Sequence, residues 1–351
     1  MITGHTGFVG SWLTLALLRL EAKVFGYSLA PSTQPSLFEE TGLANRIAGH
    51  CLGDVRDAAA LSQFLQSAAP EIVLHLAAQP LVRRSYRDPV ETFTSNAMGT
   101  VNLLEAVRKT ETVKVVLVIT SDKCYRNDEA GGAFRESDPL GGHDPYSASK
   151  ACQEIIAHAY ARSFFDGGAI SLATARAGNI LGGGDWAEDR ILPDCIAALT
   201  RHTSIAVRNP DAIRPWQHVL EPVFGYLRLA ERQWELPDAY SGAWNFGPES
   251  ENLRTVAELV TRVCACWGDG RWHRESAEIA PPYEAQTLRL DIGKSDEVLD
   301  WRPRLDFDTT VQWTTEWYRA HLQNPAATFA LSNDQIERYL ETPPLAAATT
   351  V

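Results

Sequence analysis

Nowhere does the sequence hold a run of about 18 uncharged apolar residues, the length a helix needs to cross a bilayer, so no membrane span is expected. Positive charge is in deficit: 32 Lys and Arg stand against 44 Asp and Glu, a net charge of −12 at pH 7. Nothing in that balance offsets phosphate repulsion across the whole surface, which argues against a nucleic-acid or acidic-membrane partner. A single anionic ligand held by a few local arginines remains compatible with it. Cysteine is sparse, and of the six only Cys264 and Cys266 are close. Their C-x-C spacing lacks the second ligand pair of a zinc site, so no metal is expected. Cys51, Cys124, Cys152 and Cys195 stand alone, and all six are read as reduced thiols. No basic, hydrophobic leader opens the chain, which makes the cytoplasm the expected location. No internal repeat is visible.

What is present is an ordinary globular balance, 45% hydrophobic and 22% charged residues, in a chain of 351. That length can bury roughly three quarters of its unfolded surface. Short apolar runs at 23–28, 49–52, 71–76, 113–120 and 169–175 alternate with amphipathic stretches at 8–20, 58–68, 89–109 and 145–165. This alternation predicts an α/β fold, a Rossmann-type doubly wound parallel sheet. Val115 to Ile119 is apolar throughout, as in a strand covered on both faces.

After Arg176 the rhythm gives way to Gly- and Pro-containing loops and tryptophans. A smaller C-terminal substrate-binding α/β region is therefore expected over 179–214 and 241–330, with helices at 255–267 and 309–322. The dinucleotide-binding domain would take 1–178 and a returning helical stretch at about 215–240. Residues 331–351, with Pro343-Pro344 and an Ala/Thr run, read as a disordered tail.

Gly4-His5-Thr6-Gly7-Phe8-Val9-Gly10 is a G-x-x-G-x-x-G turn between a strand and a helix. Glycines allow a tight turn and let backbone approach a pyrophosphate, whose charge meets the helix N-terminus. Gly4, Thr6, Gly7, Phe8 and Gly10 are thus candidate dinucleotide contacts. Only Met1, Ile2 and Thr3 precede the turn, short for a central strand, so a natural start further upstream is expected. The second strand ends at Ser28 without the carboxylate that often marks NAD, or an arginine suited to NADP, so this position does not choose between them. Leu76, Ala77, Ala78 and Gln79 offer small or polar groups after the fourth strand. Asn96 sits mid-helix, unfavourable unless its amide has a partner.

Tyr146-Ser147-Ala148-Ser149-Lys150 places a phenol and an amine four apart, on one helical face. A phenol is a poor base at neutral pH unless a cation stabilises its phenolate, and Lys150 is placed to do that. Upstream, Thr120-Ser121-Asp122-Lys123 ends the apolar fifth strand, where ligand sites of such sheets open. Adjacent strand residues point to opposite faces, so the backbone must turn for Asp122 and Lys123 to reach one ligand.

With the glycine turn, this constellation resembles the extended short-chain dehydrogenases/reductases over nearly the whole chain, and its Asp-Lys pair resembles the CDP-glucose branch of the nucleotide-sugar 4,6-dehydratases. The resemblance implies NAD as cofactor, with Asp54 and Val55 at the adenine, and Leu76 to Gln79, Asn96, Thr120, Tyr146 and Lys150 along the cofactor cleft. It implies a nucleotide sugar as substrate, CDP-glucose being favoured, with Ser121, Asp122, Lys123, Tyr146 and Lys150 catalytic. It further implies a homodimer or higher homo-oligomer through the helices at 89–109 and 145–165, and a place in making deoxy sugars for bacterial surface polysaccharide.

The stretch 182–190 and Ile213-Arg214-Pro215-Trp216-Gln217-His218 also resemble that branch. By that match Asn179, Arg190 and Arg214 are candidates for the diphosphate or sugar, and Arg83 for the hexose. Arginine forks suit phosphate oxygens, though either Arg190 or Arg214 could bridge domains instead. Trp186, Trp216, His75 and His143 are read as structural. Pro282-Tyr283-Glu284-Ala285 departs from the branch, where His is expected before Glu-Ala. A 4-epimerase or another 4,6-dehydratase would share the fold, cofactor and Tyr146/Lys150, but an epimerase would not need Asp122 and Lys123. A non-catalytic dinucleotide sensor is the alternative of a different class.

Overall fold

The apolar fifth run becomes a strand, Val115–Ile119, whose alternate side chains enter two different cores. Val115 and Leu117 join Trp12, Leu13, Val223 and Trp244 on one face. Val116 and Val118 join Leu61, Leu65, Leu103 and Leu104 on the other. A strand with two buried faces has no polar side, which is why its sequence does not alternate. These relations come from a computed structural model that describes every residue except 130, 168–169, 276–284 and 347–351.

Seven parallel strands form the sheet: β1 (Ile2–Thr3), β2 (Phe25–Ser28), β3 (Gly49–Leu52), β4 (Ile72–His75), β5 (Val115–Ile119), β6 (Ser171–Ala177) and β7 (Gly242–Phe246). Their spatial order is β7-β6-β5-β4-β1-β2-β3, so the chain reverses direction of travel between β1 and β4. Ligands of such sheets bind at the carboxyl ends of the strands beside that reversal. The helix Phe8–Arg19 lies on one face with Leu220–Glu235, and Ala58–Ala68, Gly99–Arg108 and Pro145–Phe164 on the other.

Three expectations need correction. Residues 242–246, assigned to the substrate region, pair in parallel with β6 as the edge strand β7. The helix Leu220–Glu235 is the crossover that delivers this strand, so the sheet continues beyond 240. The expected tail also starts later, because Thr328–Glu341 is a helix with Ile336 and Tyr339 buried. Its anchor is Glu221, whose carboxylate accepts from the Tyr339 hydroxyl at 2.7 Å and from the backbone amides of Arg304 and Leu305 at 2.8 and 2.7 Å. Finally, the helix expected over 89–109 is interrupted by a π-helical turn, Thr94–Met98, centred on Asn96.

Outside the seven-stranded sheet the strands shrink to two or three residues. Ile180–Leu181 pairs with Gln217–His218, Ile213–Arg214 with Arg254–Thr255, and Ile205–Val207 with Trp272–Arg274. Trp186 meets Tyr318 edge-on, and the Trp216 indole donates to the Arg254 carbonyl, though Trp216 also lines the cavity described below. No helix among the described residues is long and apolar enough to cross a membrane.

Candidate active site

The cofactor side is shaped by backbone. Gly4 has φ +78°, in the left-handed region, and a Cβ there would stand 2.7 Å from the Ala77 amide nitrogen. A Cβ on Gly10 would stand 2.1 Å from the Gly4 carbonyl oxygen. Gly7 is the N-cap of the helix Phe8–Arg19, with no side chain capping it and no acidic residue in the first turn. The positive helix end is thus left for an anion. Thr6 braces this turn against the end of β2, its hydroxyl 2.8 Å from both Ser28 Oγ and the Leu29 carbonyl. A pyrophosphate fits this cradle, and a dinucleotide is the ligand that such a turn beside β4 accommodates.

Other cofactor candidates divide into those free to touch a ligand and those occupied elsewhere. Leu76, Ala78, Thr120 and Lys150 line the cavity described below, and so does Val9, which sequence reasoning did not single out. Asp54 is gripped by Arg56, whose Nε and terminal nitrogen lie 2.9 and 2.6 Å from Oδ2, and this pairing holds its carboxyl below the usual range. Asp57, not Asp54, caps the next helix. The Val55 side chain is in the core. Asn96 is fully buried behind the cleft: Oδ1 accepts from the Gln79 amide at 2.7 Å, while Nδ2 donates to the Gln79 carbonyl at 3.1 Å and Ser149 Oγ at 2.8 Å. Those bonds answer the mid-helix oddity, and Asn96 ties the loop after β4 to the Tyr146 helix.

That helix, Pro145–Phe164, begins with Asp144 as N-cap, accepting from the Ser147 amide at 2.9 Å, and Pro145 in its first turn. The placement aims Tyr146 and Lys150 at the end of β5. There the chain turns as required, through a single 3-10 turn over Asp122–Cys124, with Ser121 Oγ accepting from the Lys123 amide at 3.2 Å. Ser121, Asp122, Lys123, Tyr146 and Lys150 consequently line one cavity of about 370 Å³, together with Arg83, Asn179, Arg190 and Arg214. Every substrate or catalytic candidate from the sequence faces that space.

Within it the polar groups are already coupled. Ser121 Oγ donates to Asp122 Oδ1 at 3.0 Å, and the Lys123 ammonium lies 3.2 Å from the same oxygen. Asp122 Oδ2 is buried with no partner. Burial pushes the Tyr146 phenol up to about 12, against a hydrogen bond with Ser121 and the positive charge of Arg190 that pull it down. Burial lowers the Lys150 amine to about 8, and its nitrogen donates to the Ile119 carbonyl at 3.3 Å. Arg190 is thus a positive charge beside Tyr146 in addition to Lys150, which lines the same cavity one helical turn away.

Arg190 pairs with Asp185 at 2.8 Å. Buried Arg214 donates to the carbonyls of Ile213 and Gln286. Asn179 holds φ +41°, which asparagine tolerates better than most residues, and its Oδ1 is buried without a partner. His75 bonds to Thr3 and Thr100, and His143 to the Asn127 carbonyl. The departing Pro282-Tyr283-Glu284 lies outside the described residues.

Sequence reasoning missed the support beneath the site. Glu154, one turn beyond Lys150, accepts from Thr120 Oγ1 at 2.5 Å, Thr174 Oγ1 at 2.7 Å and Arg176 at 2.7 Å. Arg176 passes the network to the Tyr125 hydroxyl, and Tyr125 to Asn245 on β7, each at 2.7 Å. The only signal for this was a carboxylate at helical spacing from Lys150.

The family model described as GDP-mannose 4,6 dehydratase matches residues 1–314. A CDP-glucose 4,6-dehydratase of Salmonella typhimurium is 44% identical over 328 residues, 92% of this chain and 90% of that one. A dTDP-glucose 4,6-dehydratase of Xanthomonas campestris pv. campestris is 26% identical, over 91% of this chain and 92% of that protein. Among solved structures, the dTDP-glucose 4,6-dehydratase of Bacillus anthracis in complex with NAD superposes with a TM-score of 0.76 at 20% identity, covering 92% of this chain and 96% of that one. The Thermus thermophilus UDP-glucose 4-epimerase complex with NAD gives 0.77 at 22% identity, covering 91% and 98%. At those identities the structural likeness speaks for the fold.

Proposed function

We propose, from the premise that this chain belongs to the GDP-mannose 4,6 dehydratase family, that it converts CDP-glucose to CDP-4-dehydro-6-deoxyglucose and water with NAD as cofactor. The observation that carries the reading is the convergence of a phenol, a carboxyl and an amine, Tyr146, Asp122 and Lys123, on the cavity that also meets the glycine turn's side of the sheet. The 44% identity to the Salmonella typhimurium protein favours the cytidine nucleotide.

Gly4, Gly7 and Gly10 would hold the NAD pyrophosphate, and the bound cofactor would supply a hydride acceptor for sugar C4 and a hydride donor for C6. Tyr146 takes the O4 proton as that hydride leaves, and the bond to Ser121 positions its oxygen. The 4-ketone so formed acidifies the C5–H bond, and Lys123 accepts that proton. Asp122 donates a proton to the C6 hydroxyl, which departs as water and leaves a C5–C6 double bond. As hydride reaches C6, Lys123 gives a proton to C5 and O4 stays a ketone oxygen, while the proton taken up by Tyr146 replaces, through solvent, the one Asp122 gave to the departing water. The ion pair between Lys123 and Asp122 sets the two groups side by side, and transfer of one proton within it produces the neutral amine and neutral acid the elimination needs. Lys150, with Asn96 and Glu154 behind it, holds the cofactor ribose. Asn179, Arg190 and Arg214 bind the substrate's diphosphate and sugar.

A second copy of the chain fits the exposed apolar residues Val90, Met98 and Ile155, on the helical segments Pro89–Arg108 and Pro145–Phe164, and we read the protein as a homodimer through them. Six unpaired cysteines suit a reducing compartment, the cytoplasm. Incubation with CDP-, dTDP-, GDP- and UDP-glucose tests the substrate. A 4-keto product, read by its absorbance in alkali, is expected from CDP-glucose foremost. Turnover of another nucleotide sugar alone would overturn the base, and NAD binding without any turnover would favour a sensor.

A further inference from the structure

Two arginines that line the cavity, Arg83 and Arg208, share one carboxylate, and Arg208 has a second and more distant one, Asp194 at 3.9 Å. Arg83 comes from the short helix Val82–Arg87 after β4, and Arg208 from the residue following the strand Ile205–Val207. Asp189, in the loop between Gly182 and the helix Ile191–Thr200, stands 2.8 Å from Arg208 and 3.6 Å from Arg83. All three line the cavity. Asp189 reaches this point with φ +61°, a left-handed conformation that a non-glycine residue adopts at a cost. Its neighbour Arg190 faces the same space, paired to Asp185.

A chain of net charge −12 thus gathers Arg83, Arg190, Arg208 and Arg214 around a single cavity, and sets carboxylates on three of them. We propose that Asp189 is an internal stand-in for the substrate's diphosphate, occupying Arg208 and Arg83 until the nucleotide displaces it, and that Arg208 is a diphosphate ligand. The inference rests on the nucleotide-sugar reading for the ligand's class. A nucleoside diphosphate brings more negative charge and more acceptor oxygens than one carboxylate, so it wins both arginines once bound. Before that, Asp189 keeps the two guanidinium groups from facing each other unscreened, and raises the concentration of ligand needed to engage them. Displacement also releases the strained residue, and frees the loop carrying Arg190 to settle on the ligand. The competition weakens affinity for substrate and product alike, which favours release of the nucleotide product.

Calorimetric titration with CDP, and separately with inorganic pyrophosphate, tests this on wild type, Asp189→Asn, Arg208→Gln and the double variant. Asp189→Asn should bind CDP and pyrophosphate about tenfold more tightly, and Arg208→Gln about tenfold more weakly. The double variant should gain less over Arg208→Gln than Asp189→Asn gains over wild type, since only the longer contact with Arg83 is then left to release. Glu188→Gln removes the same charge one residue away, from a carboxylate paired with Arg87, and should change affinity by less than about twofold. Asp189→Ser serves as a second probe should the asparagine variant fold poorly, and should show the same sign. Unchanged or weaker binding in both Asp189 variants, or an equal gain in Glu188→Gln, overturns the proposal. Because the readout is binding, absence of 4-keto product from CDP-glucose would defeat the proposed function while leaving this result to stand or fall alone.

Discussion

On the cofactor side of the cavity, Gly4 and Gly10 bring backbone within reach of backbone, and an uncapped helix end supplies the positive field. On the substrate side, short strands, loops and helix ends hold arginines that are oriented by carboxylates and carbonyls. The first half presents a fixed surface made of main chain, suited to a ligand that never changes. The second presents side chains whose partners can be exchanged, suited to a ligand that arrives and leaves. Between them the Glu154–Arg176 pair joins the Tyr146 helix to β6.

The comparison breaks most sharply at Tyr146, where both halves meet. Tyr146→Phe should lower kcat by about 10²–10⁴-fold while NAD binding, read by calorimetry, stays within a few-fold of wild type. If NAD affinity collapses with kcat, the phenol belongs to the cofactor surface instead. A smaller effect, on stability, should follow Glu154→Gln. Both Glu154 and Arg176 are 3% exposed, and removing one partner of such a pair costs about 3–5 kcal/mol, visible as a lower Tm. Loss of activity without loss of Tm would show that Glu154 acts on Lys150 alone.

The halves also respond to pH in opposite directions. Burial lowers His5 in the glycine turn to about 4 and His75 at the end of β4 to about 3, with the nearby His50 and Lys150 adding to it. The unfolded chain binds protons at these groups as pH falls through about 6.5, the folded chain only near their lowered values, so the stability they contribute declines from about pH 6.5 down to about pH 3. Burial instead raises Glu221 to about 7, with the Tyr339 hydroxyl opposing. Its folded form keeps a proton that the unfolded form has lost above about pH 4.5, so its contribution is complete at low pH and fades as pH rises through about 7. Hydrogen exchange, corrected for the intrinsic pH dependence of amide exchange, should therefore quicken first around residues 4–10 in acid, and in the helix Thr328–Glu341 as pH rises from about 4.5 to about 7. Uniform quickening in both would erase the distinction.

What could be read from the sequence follows the same division. The glycine turn, β5 and the Tyr146 helix declare themselves through local spacing, because backbone geometry and helical periodicity are local properties. So does the turn at Asp122 and Lys123, demanded by two neighbouring side chains that must share a ligand. Asp189 with Arg83 and Arg208 is invisible, since the partners lie 106 and 19 positions apart and each looks like a solvated charge. The edge strand β7 was hidden because its Gly-Ala-Trp-Asn-Phe run is short and lies within the irregular half. The helix Thr328–Glu341 lacks a side-chain cap, and its buried face shows itself only through Glu221, over a hundred residues away.

The central claim is that Tyr146, Asp122 and Lys123 act on one hexose held beside the cofactor cleft. Incubation with CDP-glucose in deuterium oxide, followed by mass spectrometry and proton NMR, tests it directly. The account predicts a product that has lost one water and carries a single solvent deuterium at C5, with the hydrogen from C4 now on C6. An isomeric CDP-hexose of unchanged composition and no deuterium at C5 would contradict it.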